Sequence, residues 1–422
     1  MNRLSSLVQP VRQKIGRYGR LILGRPDPSR AFNNFEKAIH QDTVSCRANI
    51  LGWAEEAVAD AERYEHRDLY KNADSVLVRQ GYQLTHDVRD KFRDKYLYLE
   101  NLRVLIHLPS PNVSPGGYSL FGNLINSLNY IGVRAEPLNW GEPIEDALRS
   151  FRPTVLLTSD SEAYLSQINW QDVEKYRSTN LLKIGLTASI QEYGNTPLLE
   201  RLGWAERQGV DFFYSFRSRA YLETRKEYNP FFLHGYEILS VEFGANPLIY
   251  YSVPSIERDL DFSFLASANE EKWQRYFSFL KPIFSKHVGL IDGPGWSFSR
   301  DFEFKPERDR YIYARSKIGL NLHIDNQIDW ACELNERTYM LAACGVPQLV
   351  DKPKLLLDRF SEESFFVAET PKEYQDLFVY MLENRDEAER RALNAQREVF
   401  SSHTTFHRAE ALVLALQKQL II

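Results

Sequence analysis

Two apolar runs constrain this chain most: Ile318-Gly319-Leu320-Asn321-Leu322-His323-Ile324, and Val346 to Val350 closing in Asp351. Between them, Glu333-Leu334-Asn335-Glu336-Arg337 reads as a polar helix start, Thr338 to Cys344 as a short helix of small and apolar residues, and Gly345 as its stop. Strand, loop, helix and strand in that order make one unit of an open parallel sheet. Its polar residues gather at the C-terminal end of the strand, where such sheets bind ligands. The helix N-terminus adds free N–H groups and a partial positive charge, which suit a diphosphate.

A chain of 422 residues exceeds one ordinary core, so two or three domains are expected. With 43% apolar and 26% charged residues it has a globular balance, and a net charge of −5 argues against a nucleic-acid partner. Cys46, Cys332 and Cys344 are far apart and fit a reducing cytoplasm. No apolar run reaches the length of a membrane span, and no secretory signal is visible. Residues 1–30 stand apart: Arg3, Arg12, Lys14, Arg17, Arg20, Arg25 and Arg30 face one acid, Asp27, with Leu and Ile interleaved. Such a segment suits an anionic membrane surface; a tail without fixed structure fits the same residues equally well.

Residues 31–98 have helical spacing and no strand-like alternation. From Asn101 the texture changes. Strands are expected at 102–108, 134–138, 154–158, 183–186 and 211–215, with helical or loop segments between them. After a linker near 247–258, a second cycle brings strands at 262–267 and 288–291, the unit above, and a strand at 365–367. Amphipathic helices are expected at 371–400 and 407–420. The reading is an α/β chain of two doubly wound, Rossmann-like sheets facing a cleft, preceded by a helical region. Its parts are 1–98 (basic segment and helical accessory region), 99–250 (first sheet), 255–405 (second sheet) and 406–422 (C-terminal helix).

Two such sheets in series outline the GT-B fold. The runs Lys317 to His323, Asn335 to Pro347 with its Asn-x-Arg-x-aromatic start and Ala-Cys-Gly-x-Pro end, and Asp351 resemble the C-terminal domain of group-1 glycosyltransferases, in the branch of CgeB-like proteins. The resemblance implies a nucleotide-sugar donor held mainly by the second sheet and an acceptor approaching from the first. It also implies leaving-group charge stabilised by helix ends and basic side chains, with no metal or other cofactor. That family places a Glu, which holds the donor ribose, where this chain has Met340. Methionine makes no such hydrogen bond. Glu336, one turn earlier, or Glu333 in the preceding loop is placed to substitute; weakened or lost activity is the other outcome.

The diphosphate candidates are Asn335, Glu336 and Arg337, whose other roles would be an N-cap and a surface ion pair. Ser267, Lys272 and Arg275 open the first helix of the second sheet and form another set, unless the cations are solvated helix charges. Gly116 and Gly117 permit close backbone approach to a ligand, or a tight turn. His107 and His323 end apolar strands on the side of the presumed cleft. Asp160, like Glu162, is placed for a general base or a helix cap. Glu336, His323 and Asp160 are thus the candidates for proton chemistry. Asp259-Leu260-Asp261 enters a strand and reads as a linker turn, the His403/His407 spacing lacks a third ligand, and Gly293-Pro294-Gly295 lacks the Lys-Ser/Thr of a phosphate loop.

The expected function is transfer of a sugar to a surface glycan, lipid-linked glycan or protein acceptor. The group-1 resemblance favours retention of configuration. The expected location is the cytoplasm, on the inner membrane face through 1–30. The rivals are a non-catalytic nucleotide-sugar- or glycan-binding assembly protein, which Met340 favours, and a nucleotide-sugar epimerase. No strand is followed by Gly-x-Gly-x-x-Gly, which disfavours a nicotinamide enzyme.

Overall fold

The computed structural model describes residues 71, 73–190, 196–253, 257–268, 272–296 and 306–420. The basic segment 1–30 and most of the helical region expected over 31–98 lie outside the described residues.

Strands form where apolar runs sit between turn residues. β1 (Arg103–Leu108), β2 (Arg134–Asn139), β3 (Val155–Thr158), β4 (Lys183–Thr187), β5 (Phe212–Ser215) and β6 (Ile238–Ser240) pair in parallel in the order β2-β1-β3-β4-β5-β6. β7 (Leu260–Leu265), β8 (Gly289–Asp292), β9 (Ser316–Asn321), β10 (Gln348–Asp351) and β11 (Phe366–Ala368) form a second parallel sheet in the order β11-β10-β9-β7-β8. Every residue of β3, β5, β8 and β10 is buried, as parallel strands covered on both faces must be. The expected strands are all present, with ends displaced by at most three residues. β6 escaped the sequence because it is three residues long and lies at a sheet edge.

The described helices of eight residues or more are α1 (Val76–Phe92), α2 (Pro115–Tyr130), α3 (Trp170–Arg177), α4 (Leu198–Arg207), α5 (Pro306–Arg315), α6 (Glu336–Ala343), α7 (Pro371–Glu383), α8 (Arg385–Ser402) and α9 (Thr405–Leu420). The single helix expected over 371–400 is two, because Asn384 leaves helical geometry at φ −115° and ψ 61°. Arg385 holds the corner by donating to the Lys317 carbonyl at 3.0 Å. α6 ends as the sequence requires, on Gly345 at φ +67°, a left-handed conformation that other residues rarely adopt.

Alternation along β1 sorts its side chains into two cores. Leu105 joins Leu156, Ile184 and Phe213 beneath the outer helices of the first sheet. Val104 and Ile106 face a larger core that continues through α2 and α9 to Leu341 and Val350 of the second sheet. A third core packs Phe262, Phe264, Ile318 and Leu320 under α7. Continuous apolar packing therefore joins the two sheets, and it resists their free rotation as a bare linker would not. α9 returns from the second sheet to lie on α2, where Ser127 Oγ donates to Thr405 Oγ1 at 2.6 Å and Ala245 bridges Thr404. α1 fastens the other side: Gln80 donates to the Leu393 carbonyl at 3.0 Å, and Arg89 to the Pro247 carbonyl at 2.6 Å. Among the described residues, no helix is long and apolar enough to cross a membrane.

Candidate active site between the two sheets

The C-terminal ends of β7 and β8, the N-terminus of α6 and the first turn of α2 enclose a cavity of about 220 Å³. Its wall from the first sheet is Pro115, Gly116 and Ser119, at the start of α2. That helix begins there because Ser114 caps it, Oγ accepting from Gly117 N at 3.2 Å, and because proline suits a first helical turn. A Cβ at Gly116 would meet nothing within 4 Å, so this backbone is open to a ligand, whereas one at Gly117 would press on Ser114. Gly117 serves the turn.

The opposite wall is built by α6. Asn335 is its cap: Oδ1 accepts from Thr338 N at 3.0 Å, and Nδ2 donates to Asn321 Oδ1 at 2.8 Å. Both ends of its carboxamide are engaged, so its contribution is the placing of the helix. Glu336, Arg337 and Met340 then project from one face into the cavity. The Arg337 guanidinium donates to the Leu265 carbonyl at 2.7 Å and Asn321 Oδ1 at 3.3 Å, and lies 4.8 Å from the Phe264 ring centre. These partners are neutral, so the cation is oriented without being cancelled. Beside it, burial pushes the Glu336 carboxyl up to about 7. Ser267 completes this polar half, and Leu265, Tyr250, Tyr313 and Met340 supply an apolar and aromatic half. Such a cavity suits a ligand with one anionic part and one flat or apolar part.

Residues that sequence reasoning missed close the far end. Asp292 and Asp309 grip Arg308 at 3.3 and 2.9 Å, with the Arg308 side chain 9% exposed. Asp292 ends β8, and the Gly293-Pro294 turn set aside as a phosphate motif follows it on the cavity wall. The signal available in the sequence was the position of Asp292 at a strand's C-terminal end.

Six other candidates lie elsewhere, and each has a physical reason. His323 is fully buried behind α6, bonded through Nδ1 to Asp351 Oδ1 at 2.6 Å and through its N–H to Asp351 Oδ2 at 2.7 Å. Burial lowers its imidazole, which suits a structural hydrogen-bonding role. Arg275 does not face a ligand but donates to Asp351 Oδ2 at 2.7 Å. Burial alone would raise the Asp351 carboxyl; His323 and Arg275 outweigh it and hold it below the usual range. Lys272 donates to the Leu322 carbonyl at 3.1 Å. Asp160 is buried against Arg201 in the first sheet, with its carboxyl pushed up to about 6 by burial, which Arg201 partly offsets. It borders a separate groove beside α4. Glu333 is buried in an ion pair with Arg217 and accepts from Gln327 Nε2 at 3.0 Å. His107 likewise is buried, bonded to Thr158 Oγ1 at 3.0 Å.

The raised Glu336 carboxyl makes a stability prediction. Its value in the fold lies above the usual 4.5, so folding favours the protonated form. Its carboxylate costs stability progressively as pH rises from about 4.5 to about 7, and fully above that. Glu336→Gln, which stays neutral, is expected to be about 1–2 kcal/mol more stable than the parent near pH 8 and equal near pH 4.5. The difference is smaller than a wholly buried carboxylate would give, because the Glu336 side chain keeps some contact with solvent. Melting curves across that range check it, and equal melting at both ends would show that the carboxyl is solvated.

Residues 277–413 match the model of a family described as glycosyl transferase-like. A search of curated proteins returns no match to the sequence. Among solved structures, the chain is similar to an α-glucosyltransferase in complex with UDP and a 13-mer DNA containing a central A:G mismatch. The TM-score is 0.53 at 11% identity, over 76% of this chain and 100% of that one. It is also similar to sucrose-phosphate synthase from Thermosynechococcus elongatus, at TM-score 0.48 and 12% identity over 76% of this chain and 99% of that one. The Anabaena protein HepE in complex with UDP-glucose gives TM-score 0.45 and 10% identity, over 75% of this chain and 100% of that one. At 11% identity the likeness to the α-glucosyltransferase is one of fold.

Proposed function

For a chain whose second sheet is glycosyl transferase-like and whose frame is GT-B, we propose transfer of a sugar from a nucleotide-sugar donor to a glycan, lipid-linked glycan or protein acceptor. The observation that carries this reading is Arg337: a cation at a helix N-terminus, held by neutral groups and facing a cavity between the sheets. The donor diphosphate sits there, against the free N–H groups of the first turn of α6 and the guanidinium. The flat part of the nucleotide packs on the aromatic half. Glu336, protonated in part near neutral pH, holds a donor hydroxyl in place of the carboxylate that Met340 lacks.

In the retaining reaction the acceptor oxygen bonds to the anomeric carbon as the bond from that carbon to the phosphate oxygen breaks. The bonding electrons pass to the diphosphate, and the acceptor proton passes to the departing phosphate oxygen. Charge grows on the diphosphate, so an oriented guanidinium and helix dipole stabilise the transition state more than the bound donor. No metal is assigned a part. The acceptor enters past Gly116 and Ser119.

The test is a thermal-shift screen with UDP, GDP and ADP, UDP first because the similar α-glucosyltransferase was solved with it. A ligand at about 100 times its Kd stabilises by about 2.7 kcal/mol, which raises the melting temperature by several degrees. Melting unchanged by all three would remove the donor site. A second reading, a binding protein without transfer activity, is favoured by Met340 in the cavity wall. Nucleotide binding with no release of nucleoside diphosphate from any sugar donor would select it.

A further inference from the structure

The segment 324–335 joins β9 to α6 of the second sheet, yet much of its support comes from the first. Ser218 donates its N–H to the Cys332 carbonyl and its hydroxyl to the Ala331 carbonyl, each at 2.6 Å. The neighbouring Arg217 forms an ion pair with Glu333, whose side chain is 7% exposed. Arg225 lies 3.7 Å from the ring centre of Trp330. Gln327 braces the segment from within, Nε2 donating to Glu333 Oε1 at 3.0 Å and Oε1 accepting from Ile324 N at 3.2 Å. None of these side chains lines the cavity.

From this we infer that Arg217, Ser218 and Arg225 are positioning residues: they latch the first sheet onto segment 330–333 and so set where α6 begins. The lever is short. Glu333 is two residues from the cap Asn335 and four from Arg337, and two extended residues span at most about 7 Å. A shift of the strap therefore reaches the cap and the guanidinium almost undamped. A half-exposed guanidinium on the buried Glu333 carboxylate and two short hydrogen bonds to carbonyls also hold one geometry rather than a range, since parting them leaves the desolvated carboxylate and carbonyls without partners. The latch thus ties the separation of the sheets to the shape of the anionic end of the cavity. Its consequence for donor affinity rests on the donor-site reading; the mechanical coupling does not.

The test compares the parent, Arg217→Glu, the charge swap Arg217→Glu with Glu333→Arg, and Arg225→Ala, which removes a contact to the half-exposed Trp330 and leaves the Arg217–Glu333 pair intact. Amide hydrogen exchange over 330–338 and UDP affinity by calorimetry are the two readouts. Arg217→Glu is expected to speed exchange over 330–338 by at least about tenfold, with a smaller rise in Arg225→Ala. UDP affinity falls by about tenfold in Arg217→Glu, and the charge swap restores most of both readouts. Unchanged exchange in Arg217→Glu and Arg225→Ala overturns the latch. Faster exchange in Arg217→Glu with UDP affinity unchanged overturns the positioning role and leaves a purely structural tie. If the parent itself binds no UDP, the donor-site reading fails for that nucleotide, and exchange with its rescue by the swap still decides the latch.

Discussion

Replacing Arg337 with alanine is expected to lower kcat/KM for sugar transfer by about 100- to 1,000-fold, the cost of removing one preorganised donor from developing charge. The side chain is held at the α6 start by the Leu265 carbonyl and Asn321 Oδ1, so its charge is aimed before the donor arrives. The helix N–H groups remain in the variant, which leaves residual activity. Arg337→Lys is expected to recover only part of the loss, because an ammonium cannot keep two neutral anchors and also present a flat pair of donors to a phosphate. Steady-state kinetics with the donor identified by the nucleotide screen give the number. A melting curve for each variant separates the effect from unfolding: the lost hydrogen bonds are worth only about 1–2 kcal/mol. A loss below about threefold in a folded Arg337→Ala protein would move the diphosphate elsewhere.

Asp351→Ala is expected to cost about 3–5 kcal/mol of stability, the scale for breaking a buried ion pair from one side. Three donors converge on this carboxylate: the His323 ring, the His323 backbone and Arg275. The truncation strands all of them in a region where Asp351 and His323 are 1% and 0% exposed. Because the folded carboxyl is held below its ordinary value, its contribution is present above about pH 4 and fades as pH falls through the folded value. The gap between Asp351→Ala and the parent should accordingly narrow in acid, as urea titrations near pH 7 and pH 3 would reveal. An equal gap at both would mean that the carboxylate charge is not what stabilises the fold there. His323 drew attention as a catalytic candidate, and this network is its actual place.

Much of the site was legible because helix ends write themselves locally. Asn335 in front of Glu336 and Arg337, with Gly345 after eight helical residues, specifies the cap, the direction and the stop of α6 from its own sequence. Ser267 and Gly116 were legible as residues following strands. The Asp292–Arg308–Asp309 cluster was not, because Arg308 reaches back across a segment to a strand sixteen residues earlier. Tyr250 falls in the stretch expected to be a linker and Tyr313 carries no local signal; only the approach of α2 to the second sheet makes them cavity wall. Local sequence makes Glu333 a candidate for the donor ribose; its partner Arg217 lies just after β5 of the other sheet, more than one hundred positions away.

The sequence alone determined two parallel α/β sheets, most of the succession of strands and helices along the chain and the anion-ready end of α6. Those properties follow from apolar periodicity, turn chemistry and capping, which act over a few residues. Tertiary structure decided which charged residues face the cavity and which are spent on one another. It left Arg337 with neutral partners, paired Glu333 with Arg217 and Asp160 with Arg201, and enclosed His323 with Asp351. A charge is cancelled or left available only when distant segments meet, and the partner's position, set by packing within and between the sheets, is absent from the local pattern.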